Sequence, residues 1–118
     1  MIKEYKTHWS IPENIGYFIS SNEKGYSRNQ YKYANFSFNV GDKENAVKSN
    51  INDLKNLYSI NNIAFMNQLH TNKTKELIYY KNYTNTDGIF TRNKKIACAV
   101  LTADCIPLLV TDKLGTFI

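Results

Sequence analysis

The stretch that decides the fold is Ile96-Ala-Cys-Ala-Val-Leu101, followed by Thr102-Ala-Asp-Cys-Ile-Pro107 and Leu108-Leu-Val-Thr111. The first and third segments lack the polar alternation of a half-exposed strand, which indicates strands that are covered on both faces. Such strands require layers on both sides of a sheet. The middle segment brings a carboxylate and a thiol together at a bend, because Pro107 ends the local strand soon after Cys105.

One long helix is predicted upstream of these strands, over Lys43–Tyr58, with Asp42 as its N-cap. Its apolar row is Val47, Ile51, Leu54 and either Leu57 or Tyr58. Three further β-like segments are Tyr17–Ser20, Ile63–Leu69 and Glu76–Tyr80. Strands therefore outnumber helices in a short chain. This pattern predicts an α/β (α+β) fold of layered mixed β-sheets with flanking helices.

Length and composition exclude several classes of protein. The chain has 118 residues, enough for one modest domain, and its apolar runs are shorter than the roughly 18 residues that a membrane span needs. The N-terminus lacks the apolar core of a secretory signal, so we expect a cytoplasmic protein that binds no membrane. The net charge of +5 comes mostly from dispersed lysines, a pattern that indicates no nucleic-acid partner.

The C-terminal residues predict a hairpin that the sequence does not complete. Leu108–Thr111 leads into a turn at Asp112–Gly115, and Thr116–Ile118 begins a return strand. Gly115 suits the left-handed backbone that such a turn requires. A return strand this short leaves buried backbone groups unpaired, at a cost of about 1–3 kcal/mol each. We therefore expect a fold that is incomplete at the C-terminus.

Two donor side chains stand where predicted strands end: His70 follows one strand and Cys105 follows another. A thiolate with an imidazole is typical of zinc chemistry, in which a catalytic site takes three protein ligands and leaves one position to water. No His or Cys follows Cys105 in the sequence. His8 is interpreted as a surface residue, and Cys98 as a small buried hydrophobe inside its apolar strand.

Three segments carry a resemblance to a known family: Gln68-Leu-His70, Thr86-Asp-Gly-Ile-Phe-Thr91 and Ala99-Val-Leu-Thr-Ala-Asp-Cys-Ile-Pro-Leu-Leu109. In this order they resemble the laccase-domain family, which is also described as multicopper polyphenol oxidoreductase, purine nucleoside phosphorylase and peptidoglycan editing factor. Asn35-Phe-Ser-Phe-Asn-Val-Gly-Asp42 and Asn50 are similar to further family segments. The resemblance implies that residues 1–118 form the N-terminal part of a single laccase-type domain.

The resemblance also implies a metal-dependent enzyme acting on purine nucleosides and phosphate. His70 and Cys105 would ligate zinc, with copper as the other candidate metal, and a third histidine would lie in a His-Ala-Gly-Trp segment beyond the sequence. Asp104, Cys105 and His70 would be catalytic, with Asp104 either orienting a ligand or moving a proton. Asn35 would contact substrate, whereas Asp87 is interpreted as a turn former. The implied reactions are nucleoside phosphorolysis and adenosine deamination.

The sequence departs from the family pattern in ways that bear on activity. Ile51 follows Asn50 where the family has arginine, and Thr71 follows His70 where the family has glycine. An arginine that could engage an anionic group is also missing from the Ile19–Gly25 segment. With the third histidine outside the sequence as well, we expect weak or no turnover from this chain alone.

Two other interpretations stay open. In a metal-free mechanism, Cys105 would act as nucleophile and His70 as base, for example in hydrolytic editing of peptidoglycan precursors. Alternatively, the chain is a non-catalytic fragment, or a half that assembles with a separately encoded C-terminal partner. Polyphenol oxidation by several coppers is disfavoured, because one thiol and one imidazole are too few ligands.

Overall fold

The structure is a computed structural model that describes residues 2–5 and 7–118 and falls into two units. The helical unit comprises residues 1–9 and 16–60, and the sheet unit comprises residues 10–15 and 61–118. All described strands belong to the sheet unit, and the one α-helix found in the described part of the chain belongs to the helical unit. No helix within 2–5 and 7–118 has the length and apolar character to cross a membrane.

Helix α1 spans Glu44–Tyr58, which confirms the predicted helix to within one residue. The predicted N-cap is wrong, because Lys43 rather than Asp42 occupies that position. The Asp42 carboxylate instead accepts hydrogen bonds from the Lys43 backbone N–H (2.7 Å) and from the Asn35 side-chain amide (3.0 Å). Ser59 ends the helix in the left-handed conformation, with a φ of 53°.

The apolar row of α1 ends on Tyr58 and not on Leu57. Leu57 is 42% exposed, whereas the Tyr58 ring lies against Phe18 with ring centroids 4.5 Å apart. The Tyr58 hydroxyl donates to a Glu4 carboxylate oxygen at 3.2 Å. Partial burial, followed by the negative charge of Glu4, raises the pKa of Tyr58 to about 12. This tyrosine therefore stays neutral and keeps its hydrogen bond at any physiological pH.

Asn50 is the buried polar centre of the helical unit, and its side chain is fully shielded from solvent. Its carbonyl oxygen accepts the Tyr26 backbone N–H at 2.8 Å. Its amide group donates to the Ser27 hydroxyl at 3.0 Å and to the Asn35 backbone carbonyl at 2.7 Å. One helical side chain thereby satisfies polar groups from two neighbouring loop segments, which fixes these loops against α1.

The sheet unit contains five short strands: β1 (Ile63–Asn67), β2 (Thr74–Glu76), β3 (Thr84–Asn85), β4 (Gly88–Phe90) and β5 (Ala97–Ala99). One sheet has the order β3-β1-β5, and the other pairs β2 with β4. Every pairing between these strands is parallel. The first four residues of β1 are buried, as expected of the central strand. The predicted α/β class is confirmed, with parallel strands joined by long connections.

The strand limits differ from those predicted. The predicted strand Ile63–Leu69 ends at Asn67 in the structure, and the predicted strand Ile96–Leu101 shortens to β5. In place of the predicted strand Glu76–Tyr80, the structure has β2 at Thr74–Glu76. The replacement follows from the pairing of β2 with β4, in which Thr74 lies opposite Gly88. A Cβ atom at Gly88 would lie 2.6 Å from the Thr74 hydroxyl oxygen, so this close approach needs glycine.

Three strand predictions rested on apolar character and need correction. Tyr17–Ser20 contributes only an isolated antiparallel bridge between Ser20 and Glu4. The residues of β5 are half-buried and not covered on both faces. Leu108–Thr111 joins no described strand, and Leu108 is 81% exposed. An apolar run forms a strand only where another strand satisfies its backbone, and this partner is not encoded in the run itself.

The predicted C-terminal turn is confirmed. The Gly115 backbone N–H donates to the Asp112 carbonyl at 3.2 Å, and the φ of Gly115 is +65°. The Asp112 carboxylate accepts the Thr116 backbone N–H at 2.7 Å. Beyond the turn, Ile118 exchanges two backbone hydrogen bonds with Thr91, at 2.8 and 3.2 Å. The return segment therefore pairs with the residue that follows β4.

A small apolar cluster holds the sheet unit together. Ala64 of β1 packs with Leu77 and Ile96, and Ile89 and Cys98 pack against these three. Burial raises the pKa of the Cys98 thiol to about 11, so the thiolate is scarce at neutral pH. The structure thus supports the interpretation of Cys98 as a small hydrophobe.

Replacing Asn50 with alanine is expected to lower the free energy of unfolding by about 2 kcal/mol. The change leaves the Tyr26 N–H, the Ser27 hydroxyl and the Asn35 carbonyl without their partner. Urea denaturation followed by circular dichroism measures the effect. Asn52→Ala is the matched control, because Asn52 is exposed on the same helix and alanine favours helix formation there. Equal stability of the two variants would contradict this role of Asn50.

Candidate functional site at the carboxyl edge of the sheet

The parallel sheet brings distant parts of the sequence to one edge. Because β3, β1 and β5 are parallel neighbours, their carboxyl ends lie at the same edge of the sheet. Asp87 follows β3, His70 follows β1, and Cys105 follows β5. The chain also changes direction across the sheet at β1, since β3 and β5 lie on opposite sides of it. Such switch points are where open α/β sheets bind ligands.

Gln68 joins the exits of β1 and β5. Its side-chain amide donates to the Leu101 carbonyl at 3.0 Å, and its side-chain oxygen accepts the Leu101 N–H at 2.9 Å. The side chain thereby satisfies both backbone groups of one residue, as a neighbouring strand would. This pair of bonds fixes the start of the loop that carries His70 relative to the start of the loop that carries Cys105.

Asp87 organises the His70 loop with four hydrogen bonds. One carboxylate oxygen accepts the backbone N–H groups of Leu69 (3.0 Å) and His70 (2.8 Å). The other oxygen accepts the Thr71 backbone N–H (2.8 Å) and the Thr71 hydroxyl (2.7 Å). These bonds, the Thr71 hydroxyl first, lower the pKa of Asp87, so the carboxylate stays charged. They also hold His70 in the left-handed conformation, with a φ of 58°.

The predicted catalytic residues of this edge are all accessible. His70, Asp104 and Cys105 are exposed. Within residues 2–5 and 7–118, no three His, Cys, Asp or Glu side chains converge as a group that could hold a metal ion. Asp87 is close to His70 in the same loop assembly, but its oxygens already accept four hydrogen bonds. The predicted ligands at this edge are therefore one imidazole, of His70, and one thiol, of Cys105, two fewer than a closed tetrahedral zinc site uses.

Asn35, the predicted substrate-binding residue, lies in the helical unit. Its amide group donates to the Ser37 carbonyl (3.1 Å) and to the Asp42 carboxylate (3.0 Å). Its side-chain oxygen accepts the Ser37 backbone N–H at 2.9 Å. These bonds give Asn35 a role in shaping the turn before α1, and a contact with substrate stays a prediction.

Comparison with known proteins identifies the family. A sequence profile of the family described as multi-copper polyphenol oxidoreductase laccase matches residues 16–118. The chain belongs to this family. The resemblance inferred from the segments Gln68–His70, Thr86–Thr91 and Ala99–Leu109 is thus confirmed.

Individual relatives of this laccase-family chain extend the comparison. It is 32% identical over 109 residues to a purine nucleoside phosphorylase of Haemophilus influenzae, covering 92% of the chain and 45% of the relative. It is 40% identical over 58 residues to a purine nucleoside phosphorylase of Campylobacter jejuni, covering 48% of the chain and 25% of the relative. The chain therefore spans about half the length, or less, of the curated relatives it matches.

The fold of the laccase-family chain also matches a solved structure. The crystal structure of a Neisseria meningitidis protein described as family DUF152 superposes with a TM-score of 0.85 at 28% identity. The match covers 98% of this chain and 47% of the Neisseria protein. Almost the whole chain therefore follows the fold of about half of a larger protein.

Replacing Asp87 with alanine is expected to speed amide hydrogen exchange at Leu69, His70 and Thr71 by at least tenfold. Alanine has no side-chain oxygen, so all three N–H groups lose their acceptor. Hydrogen exchange followed by NMR or mass spectrometry measures the rates. Asp112→Ala, which removes the carboxylate of a different turn, serves as the control and should leave these three amides unchanged. Unchanged exchange in the Asp87 variant would show that the carboxylate does not hold the loop.

Iodoacetamide at pH 8 is expected to alkylate Cys105 and to spare Cys98. Cys105 is exposed, whereas the pKa of the half-buried Cys98 is about 11 and leaves about one thiolate in a thousand at this pH. Peptide mass spectrometry after a timed reaction distinguishes the two thiols. In urea both should react, because unfolding removes the protection of Cys98. Similar rates in the folded chain would contradict the structural assignment of Cys98.

Proposed function

We propose that this chain is the part of a purine nucleoside phosphorylase that contributes a thiol and an imidazole to a zinc site. The observation that carries the proposal is the parallel order β3-β1-β5, which brings the loops of His70 and Cys105 to one sheet edge. The purine nucleoside phosphorylases of Haemophilus influenzae and Campylobacter jejuni, similar in sequence to this chain, support the substrate class. The substrates on this proposal are a purine nucleoside and phosphate.

The chemistry of the donor set fits zinc as part of a site. A borderline-soft metal takes thiolate and imidazole ligands together, and both side chains are exposed to an incoming ion. Zinc bound there would lower the pKa of a bound water and polarise a substrate atom. The same donors accept copper, which stays the alternative metal.

The residues of the chain have separate roles on this proposal. His70 and Cys105 bind the metal, and Asp87 keeps the His70 backbone in its left-handed conformation. Asp104 precedes Cys105 and is exposed, so its carboxylate either orients a ligand or moves a proton at the leaving base. In phosphorolysis, phosphate attacks the anomeric carbon of the ribose while the bond to the purine breaks. In adenosine deamination, which we propose as a second activity, water replaces the amine of the purine and ammonia leaves.

A hydrolase that uses Cys105 without metal is the second candidate. The exposure of Cys105 next to Asp104, on the sheet edge that also carries His70, favours it. This mechanism needs no third ligand. It differs from the zinc mechanism in its response to chelators.

Zinc binding by the chain itself tests the proposal directly. We expect calorimetric titration with Zn²⁺ to show one site, which Cys105→Ser and His70→Ala each weaken at least tenfold. Cys98→Ser is the matched control and should bind zinc like the unchanged chain, because Cys98 lies in the apolar cluster. Zinc affinity that is unchanged in Cys105→Ser would overturn the proposed site.

Activity is measured with the chain fused to the part of the Haemophilus influenzae relative that it does not match. Inosine and phosphate should yield hypoxanthine and ribose 1-phosphate, and adenosine should yield inosine, with turnover lost in His70→Ala. The unfused chain should show little or no turnover, since two ligands hold zinc weakly. Turnover that survives chelators and is lost with iodoacetamide would establish the thiol mechanism in place of the zinc mechanism.

A further inference from the structure

We propose that Gln68 is a positioning residue of the candidate site, whose side-chain amide holds the Cys105 thiol where it can share an ion with the His70 imidazole. This role rests on the proposed function, since it concerns the two side chains assigned to the metal. Gln68 itself touches neither metal nor substrate on this proposal. It acts through the backbone of Leu101, which lies four positions before Cys105 in the sequence.

Backbone pairing between β1 and β5 ends before either strand reaches the candidate site. The last registered pair of these two strands is Phe65 with Ala99. The next residues of β1, Met66 and Asn67, are in register with β3, which lies on the opposite side of β1. On the side that faces β5, the described pairing therefore does not extend to the loops that carry the candidate ligands.

The Gln68 side chain continues the pairing where the backbone stops. Ile63 pairs with Ala97, so a ladder continued in the same register would bring Asn67 opposite Leu101. Instead, the Gln68 amide donates to the Leu101 carbonyl at 3.0 Å, and its side-chain oxygen accepts the Leu101 N–H at 2.9 Å. One side chain thus supplies the donor and the acceptor that a neighbouring strand would supply.

Leu101 is the last residue before the thiol that a hydrogen bond holds. Among the described residues, positions 102–110 take part in no hydrogen bond and in no strand. The next such anchor is Thr111, whose hydroxyl donates to the Phe117 carbonyl at 2.5 Å. Cys105 is nearer in sequence to Leu101 than to Thr111, so its position depends most on the bonds from Gln68.

The imidazole, in contrast, stands on a loop that is fixed without Gln68. Asp87 accepts the His70 backbone N–H at 2.8 Å and holds the residues on either side of it as well. Loss of the Gln68 amide would therefore release the Cys105 segment and leave the His70 loop in place. An ion bound by both residues would then have to order the released segment, and this conformational entropy would weaken binding.

The test replaces Gln68 with methionine, which has a similar length and offers no amide group to Leu101. Calorimetric titration should show Zn²⁺ binding that is at least tenfold weaker, the size of effect typical of residues that support metal ligands. Hydrogen exchange should be at least tenfold faster at the Leu101 amide. With Co²⁺ as a spectroscopic probe, the thiolate-to-cobalt absorption at saturation should lose intensity, because Cys105 is no longer held near the ion.

Asn67→Ala is the matched control, because it removes a side-chain amide from the adjacent position. The Asn67 amide donates to the Asn85 side-chain oxygen at 2.7 Å, on the side of β1 that faces β3. The backbones of these two residues are themselves in register, so β3 stays in place without the side-chain bond. Zinc affinity should change less than about twofold.

The outcomes separate this role of Gln68 from the proposed function. If the unchanged chain binds zinc and Gln68→Met binds it equally well, the positioning role is wrong and the zinc site stands. Weaker zinc binding and a weaker cobalt band, in a variant whose circular dichroism matches that of the unchanged chain, support the role. If Gln68→Met does not fold, Gln68→Glu replaces it, since glutamate keeps the acceptor for the Leu101 N–H and its ionised form lacks the donor.

If the unchanged chain binds no zinc, the proposed function fails and a measurement without metal decides the positioning role. A nitroxide attached to Cys105 should broaden the NMR signals of the His70 imidazole in the unchanged chain, because the two loops lie at one sheet edge. The broadening should be weaker in Gln68→Met, in which the Cys105 segment is released. Equal broadening in the two chains would overturn the positioning role.

Discussion

The parallel pairing of β3, β1 and β5 is the constraint on which the candidate site depends. Parallel neighbours end at a common edge, so residues that follow different strands are brought together without being close in sequence. His70 and Cys105 are separated by 35 positions in the sequence and follow adjacent strands. An antiparallel arrangement of β1 and β5 would send their loops to opposite edges. The chemistry proposed for this chain therefore depends first on the direction of β1 and β5, because that direction places the two loops at one edge.

Strand direction does not by itself fix the conformation of the loops at this edge. The side chains of Gln68 and Asp87 fix it, through hydrogen bonds to loop backbone groups. Gln68 substitutes for a backbone partner at Leu101, and Asp87 gathers the backbone N–H groups of the His70 loop. Both act on backbone groups, so the local conformation is fixed independently of the side chain at position 70. A carboxylate that accepts several N–H groups is also a weak base and a poor candidate for a ligand. In this loop, Asp87 shapes the backbone, whereas the exposed side chain of His70 is left to bind a ligand.

The sequence predicts the parts of this fold that depend on local patterns. The row of Val47 and Ile51 at helical spacing marks α1, and Asp112 and Gly115 mark the C-terminal turn, because a helix face and a turn are determined by neighbouring residues. The family was also predictable, since the Thr102–Cys105 segment is the most specific of the segments that resemble it. The limits of the strands were not predictable. Thr74–Glu76, for example, is polar and exposed, and it becomes a strand only through its pairing with β4. The bonds of Asp87 to the His70 loop also escaped prediction, since they join residues that a sequence window does not contain.

Two features meet at Cys105, namely the exposed apolar segment 106–110 and a donor set of one thiol and one imidazole. Leu108–Thr111 has the composition of a covered strand, and the described residues leave Leu108 uncovered. His70 and Cys105 have the chemistry of a zinc site, and the described residues supply no third ligand. Cys105 immediately precedes Ile106, so the thiol stands on a segment whose backbone joins none of the described strands. The position of this segment relative to the His70 loop therefore depends on the two bonds of Gln68 to Leu101, and not on strand pairing at Cys105 itself.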